Sequence, residues 1–166
     1  MCNCNPEKVD YPQNYEWGPR VWNVLHGLSL RAGTNQIMMM RDDEMRTWEK
    51  IITSTGPMLP CEECRGHYAS WLADHPIKPL TTMGYSEKGE WIRRWFYDLH
   101  TNVNQRLRKP NLDYDQLRSR YNGVNVSEEL KTLEALITRA LKVGGGTSLL
   151  KYKEWLKHIS MVRSFY

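Results

Sequence analysis

Residues 86–108 read SEKGEWIRRWFYDLHTNVNQRLR, and the fold turns on this stretch. Trp91, Trp95, Leu99, Val103 and Leu107 recur at every fourth position, the spacing of one helix face. Ser86 stands where a cap belongs and Pro110 closes the run, which predicts a helix over 87–108. The same period extends outward in both directions. Residues 16–31 carry Trp17, Val21, Val24, Leu25 and Leu28, with Pro19 tolerated only in a first turn. Residues 41–55 place Met45, Trp48, Ile51 and Ile52 behind a cap at Asp42 or Asp43, and Gly56-Pro57 should end that helix. Pro60 precedes Cys61, where a new helix is expected to bury Tyr68, Trp71 and Leu72 before His75-Pro76 stops it. A short helix follows over 113–121. Past Gly123, Ser127 is the expected cap of a segment with Leu130, Leu133, Ile137 and Leu141 in register. Gly144-Gly145-Gly146 reads as a linker, and Leu149, Tyr152, Leu156 and Ile159 mark a last helix. No stretch alternates with the strand period. The chain is expected to be all-α: an N-terminal arm over 1–12, a helical bundle over 13–122 and a helical hairpin extension over 123–166.

Composition narrows the class. A chain of 166 residues, 40% hydrophobic and 25% charged, has the makeup of a folded domain with a modest appendage and excludes wholesale disorder. No run approaches the roughly 20 apolar residues of a membrane span. The opening MCNCNPEKVD has no apolar core of a secretory signal, so none is expected. The net charge of +4 marks no nucleic-acid partner. Arg106, Arg108, Lys109, Arg118 and Arg120 do cluster, which fits either a phosphate-bearing ligand or a solvated helix face.

The four cysteines form two tight pairs, Cys2-x-Cys4 and Cys61-x-x-Cys64, too few for a disulfide scaffold. Two thiols three positions apart at a helix start can close a disulfide without large backbone movement. The helix N-terminus enriches the thiolate, the species that attacks disulfides; Glu62 and Glu63 oppose this and Arg65 favours it. A thioredoxin-like motif would need a strand before it, and a haem attachment would need histidine where Arg65 stands. Spacing alone leaves three chemistries open. The pair could be redox-active, could hold zinc with His67 and one of Cys2 or Cys4, or could be inert.

Three motifs then occur in order. They are Trp17-Gly18-Pro19-x-x-Trp22-x-x-Leu25-His26, Pro60-Cys61-x-x-Cys64-x-x-His67, and His100-Thr101-Asn102-Val103-Asn104-x-x-Leu107-x-Lys109-Pro110. Together they resemble the signature of the Erv/ALR sulfhydryl oxidases. The resemblance implies a four-helix bundle with a short fifth helix, FAD at its mouth and usually a homodimer. It also implies protein thiols as substrates, and oxygen as acceptor with release of hydrogen peroxide. By that similarity Cys64 lies next to the flavin and Cys61 meets incoming electrons. Trp17, Trp22, His26, His67, Tyr68, His100, Val103, Asn104 and Lys109 map onto positions lining the cofactor. The helical period supports one part of this independently, because His100 and Asn104 share a face. Cys2 and Cys4 match, by analogy, the extra pair that relatives carry on a tail to ferry electrons.

Two departures from the family pattern stand out. Thr101 replaces an asparagine, and tyrosines occupy positions 97 and 114, where cellular relatives place a structural disulfide. Viral members often lack that bridge, so the sequence leans to the viral branch, in the cytoplasm of an infected cell or a virion. The mitochondrial intermembrane space is the alternative. The competing function is a zinc-binding helical interaction module without redox activity.

Overall fold

The computed structural model describes residues 10–166, so the calls on Cys2 and Cys4 lie outside the described residues. Among these residues the regular structure is entirely helical. The main helices are α1 (Asn14–Ser29), α2 (Arg41–Met58), α3 (Glu62–Asp74) and α4 (Tyr85–Arg106). They are followed by the short α5 (Leu117–Tyr121), then α6 (Val126–Val143) and α7 (Leu149–Arg163). No helix is long and apolar enough to cross a membrane.

Several boundaries differ from expectation, each for a local reason. α2 runs through Gly56-Pro57 to Met58, because a proline in a last turn costs only one intrahelical bond. It begins at Arg41, out of a 3₁₀ turn at Met38–Met40, so Asp42 and Asp43 are first-turn anions and not caps. α4 starts before Ser86: the Glu87 carboxylate accepts the Gly84 N–H at 2.8 Å. Asn125, not Ser127, caps α6, its Oδ1 accepting the Glu128 N–H at 3.2 Å. The α4 stripe is also turned from its expected phase. Ile92, Trp95, Phe96 and Leu99 are buried, while Trp91 and Val103 are only partly covered and Leu107 is 44% exposed. A strict four-residue step advances about 40° past each full turn, so its ends walk off the core face.

One core joins the bundle to the last two helices. Val21, Val24, Leu25, Trp48, Ile51, Ile52, Ile92 and Phe96 cluster with Leu133 and Ile137 of α6 and Trp155 and Ile159 of α7. α6 lies on α1, tied by Arg20–Glu129 at 3.1 Å and Arg139–Glu16 at 2.6 Å. α7 lies on α2, where Trp155 Nε1 donates to Thr55 Oγ1 at 3.0 Å deep inside. Beyond it, the fully buried Glu44 carboxylate accepts from Gly33 N–H at 3.1 Å, Tyr166 at 2.8 Å and Tyr85. A buried carboxylate is tolerated only with such donors around it.

Tyr97 and Tyr114, the replaced bridge positions, meet edge to face at 5.1 Å. Tyr97 donates to the Leu112 carbonyl at 2.9 Å, Tyr114 donates to Glu90 at 2.6 Å, and Arg94 covers the Tyr114 ring. Packing and hydrogen bonds here tether the segment after α4 to its side.

α2 and α3 approach closely at a glycine. Gly56 backs onto the Tyr68 ring, where a Cβ would fall 2.5 Å from Cδ1, and the Tyr68 hydroxyl donates to the Ile52 carbonyl at 2.6 Å. Gly56→Ala should therefore push Tyr68 out and destabilise the fold by about 2 kcal/mol, as overpacking does. A lowered urea midpoint checks this; an unchanged midpoint would remove the contact from the fold's essentials.

Candidate active site

α3 starts directly after the turn Leu59-Pro60, and Cys61 is its N-cap residue. The Cys61 sulfur accepts the Cys64 N–H at 3.1 Å, and the two cysteines are joined as a disulfide with Cα atoms 5.1 Å apart. Arg65 does not sit free beside the sulfurs: its guanidinium donates to the Leu59 carbonyl at 2.7 Å and braces the turn. His67 faces Glu63 at 3.9 Å. The amide of Asn14, first residue of α1, points Nδ2 at the Cys64 sulfur from 3.6 Å.

Cys64 forms part of the wall of a cavity of about 330 Å³ between α1, α3, α4 and α5. Trp17, Trp22, His67, Tyr68, His100, Val103, Asn104 and Lys109 line the same cavity, so eight of the nine expected cofactor positions converge there. Cys61 and His26 do not line it. His26 is buried one layer behind, its Nε2 at 2.9 Å from His100 Nδ1.

One side of the cavity is a stack of rings. His100 lies nearly parallel to Trp22, with centroids 4.0 Å apart, and His26 packs on Tyr121 at 4.6 Å. Burial pushes the His26 pKa down to about 3, with the His100 charge adding to it, and burial plus Lys109 pushes His100 down to about 4. Both rings are thus neutral near pH 7, and the bond between them needs one donor and one acceptor. Lys109, Arg106 and Arg120 line the same cavity, Arg120 over the Tyr121 ring. Lys109 is brought back by a left-handed residue, Arg108 at φ 55°, with its own N–H donating to the Asn104 carbonyl at 2.8 Å. A left-handed non-glycine residue costs on the order of 1 kcal/mol, a strain that sits here beside the cavity.

The sequence reading missed Asn14, Arg120 and Tyr121 as cavity residues. Arg120 was visible as part of a basic cluster, but nothing in the chain signalled Asn14, which reaches Cys64 across 50 positions.

The family profile described as the Erv1/Alr family matches residues 19–122, and the chain belongs to that family. A protein of African swine fever virus named FAD-linked sulfhydryl oxidase is 29% identical over 118 residues, 71% of this chain and 87% of that one. A Frog virus 3 protein with the same activity in its name is 28% identical over 100 residues, 58% of this chain and 59% of that one. The mitochondrial FAD-linked sulfhydryl oxidase erv1 of Schizosaccharomyces pombe is 25% identical over 114 residues, 66% of this chain and 58% of that one. No solved structure matches.

The cavity's chemistry fits FAD. Among the described residues, Trp17 Nε1 and His67 Nδ1 are buried without a protein partner, and buried polar atoms of this kind call for a ligand or ordered water. The flat Trp22–His100 face suits a planar ring, and the Lys109, Arg106 and Arg120 cations in the lining suit a diphosphate. In the same described residues no cluster of three or more His, Cys, Asp or Glu is arranged to hold a metal.

The two depressed histidines make a signed prediction. Their folded-state values, about 3 and about 4, lie below the ordinary 6.5, so the unfolded chain binds more protons between those limits. The stability they contribute is complete above pH 6.5 and is lost as the pH falls toward 4 and then 3. Urea midpoints taken from pH 7 to pH 4 should fall, and His26→Gln should flatten that slope. A slope unchanged by the substitution would mean that His26 does not titrate this way.

Proposed function

We propose that this chain is an FAD-dependent sulfhydryl oxidase that forms disulfides in protein thiols, with Cys61–Cys64 as its redox pair. The observation that carries the reading is Cys64 in the wall of a cavity with unpartnered polar atoms, an aromatic face and cations in its lining. Trp22 and His100 would hold the planar rings, Lys109 and Arg120 the phosphates, and Trp17, His67 and Asn104 would supply polar contacts. Bound FAD supplies the acceptance of two electrons from a thiolate and their transfer to oxygen, giving hydrogen peroxide.

The protein's own steps follow from thiol–disulfide exchange. A substrate thiolate attacks the Cys61 sulfur, the Cys61–Cys64 bond breaks, and Cys64 leaves as thiolate. A second substrate thiolate attacks the mixed disulfide and releases Cys61, so the substrate leaves as a disulfide and the pair holds two electrons more. The Asn14 amide, donating to the Cys64 sulfur, favours the thiolate form there. Cys61 does not line the cavity while Cys64 does, which would let substrate exchange take place at one sulfur and leave the other to the cofactor.

The same reading assigns residues 13–122 to cofactor binding and 123–166 to an extension that braces it. It pairs the chain with a second copy, as is usual for the family. It sets the enzyme in the cytoplasm of an infected cell or in a virion, the viral relatives being the support. Cys2 and Cys4 act as a relay from protein substrates to Cys61.

Cys64→Ser should abolish oxygen consumption with dithiothreitol, at least a hundredfold, while the purified protein stays yellow; retained activity would refute the assignment. Replacing Cys2 and Cys4 together by serine should slow oxidation of a reduced protein several-fold and leave dithiothreitol turnover unchanged. Equal loss on both substrates would remove the relay.

A further inference from the structure

Both peptide carbonyls that lead into Cys61 are held by side chains. The Arg65 guanidinium donates to the Leu59 carbonyl at 2.7 Å, and the Tyr11 hydroxyl donates to the Pro60 carbonyl at 2.7 Å. The second hold is itself set from the C-terminal extension. The Tyr11 oxygen lies 2.6 Å from Thr147 Oγ1. A phenol has one proton; with it given to Pro60, the Thr147 hydroxyl is the donor to Tyr11. Gly145 presses on the ring, where a Cβ would fall 2.4 Å from Tyr11 Cε2. At Gly146 a Cβ would lie 3.6 Å from the Arg65 guanidinium, so the 144–147 turn abuts both holds. Gln13 Nε2 donates to the Tyr11 carbonyl at 3.0 Å and fixes the backbone there. α6 and α7 already bury their faces on α1 and α2, so the extension stays docked without these bonds.

We propose that Tyr11 and Thr147 are positioning residues for the redox pair. By holding the Pro60–Cys61 peptide they keep the Cys61 sulfur within reach of Cys64 when the pair is reduced. This rests on the reading above that Cys61–Cys64 is the redox pair. The two cysteines are unequally anchored. Cys64 lies inside α3 and is fixed by the helix, whereas Cys61 is the N-cap, with extended backbone at φ −142° and ψ 114°. Once the disulfide opens, the sulfurs must separate to nonbonded contact, and the Cys61 side is the one that can swing. A bond that holds the Pro60 carbonyl opposes that swing. It thereby raises the effective concentration of one thiol toward the other, which favours the disulfide over the dithiol. A pair that re-forms its disulfide readily gives up its two electrons readily, so the clamp favours passage of electrons onward from the pair. The C-terminal extension then has a task at the active site, carried by Thr147 and Gly145.

The equilibrium of this pair with glutathione tests the clamp. Two glutathione thiols give two electrons and two protons to the Cys61–Cys64 disulfide; the products are the Cys61 and Cys64 thiols and one glutathione disulfide. The measurement uses the anaerobic full-length holoenzyme with Cys2→Ser and Cys4→Ser, in which Cys61 and Cys64 are the only cysteines, and counts thiols by alkylation. Tyr11→Phe keeps the ring and loses both hydrogen bonds. It should favour the dithiol about tenfold, the net weight of such bonds, which is a potential about 30 mV less negative. Thr147→Val should shift the balance about threefold in the same direction, and Thr147→Ser should keep the original value. Tyr11→Phe combined with Thr147→Val should match Tyr11→Phe alone, because the two act as one unit. A potential unchanged in Tyr11→Phe overturns the proposal even if the urea midpoint falls, since a merely structural contact moves only the midpoint. A potential that moves in Tyr11→Phe and not in Thr147→Val overturns the part given to the extension. If the potentials shift as expected while the four-cysteine enzyme consumes no oxygen with dithiothreitol, the oxidase reading fails and the positioning by Tyr11 and Thr147 stands.

Discussion

The contact of the Tyr68 ring on the bare backbone of Gly56 sets where the redox pair can be. It lets α3 lie closer to the end of α2 than any side chain at 56 would allow, and the phenol's bond to the Ile52 carbonyl fixes the angle. The turn Leu59-Pro60 between the helices is then short, and Arg65 ties it from the far side through the Leu59 carbonyl. Cys61 consequently caps α3, and Cys64, one turn later, forms part of the cavity wall beside Tyr68. Tyr68 thus belongs both to the core and to the cavity lining, beside Cys64.

The cavity joins stacked rings to cations. Burial keeps His26 and His100 neutral and stacks them with Trp22 and Tyr121. The left-handed Arg108 turns the chain so that Lys109 joins Arg106 and Arg120 in the same lining, with Arg120 over the Tyr121 ring. A ligand with planar rings and an anionic linker satisfies both, and no Gly-rich phosphate loop or parallel sheet is required. The unpartnered Trp17 Nε1 and His67 Nδ1 are costs that a hydrogen-bonding ligand would offset.

The extension is not an independent appendage in its packing. Trp155 and Ile159 are fully buried against α2, and Leu133 and Ile137 sit in the same core as α1. Where cellular relatives use a structural disulfide, the Tyr97–Tyr114 pair with Arg94 and Glu90 makes a noncovalent tether. Such a tether needs no oxidation to form, which suits a chain that itself handles disulfides.

The helices and the redox pair were legible in the sequence. A 3.6-residue period and Gly or Pro punctuation are local, and so is a Cys-x-x-Cys preceded by Pro at a helix start, although its chemistry became readable only beside the other two motifs. The three spaced motifs also carry Trp17, Trp22, His67, His100, Asn104 and Lys109, which meet in one cavity. What the sequence left open are matters of phase and of long-range approach. Ile92 and Phe96 replaced Trp91, Val103 and Leu107 on the buried face of α4, because which part of a helix is covered depends on where its neighbours lie. Asn14 beside Cys64, His26 behind His100, and the 144–147 turn over Tyr11 join residues 50, 74 and 136 positions apart. No local pattern encodes such pairs: they follow from the packing of helices against one another, and only the tertiary structure decided them.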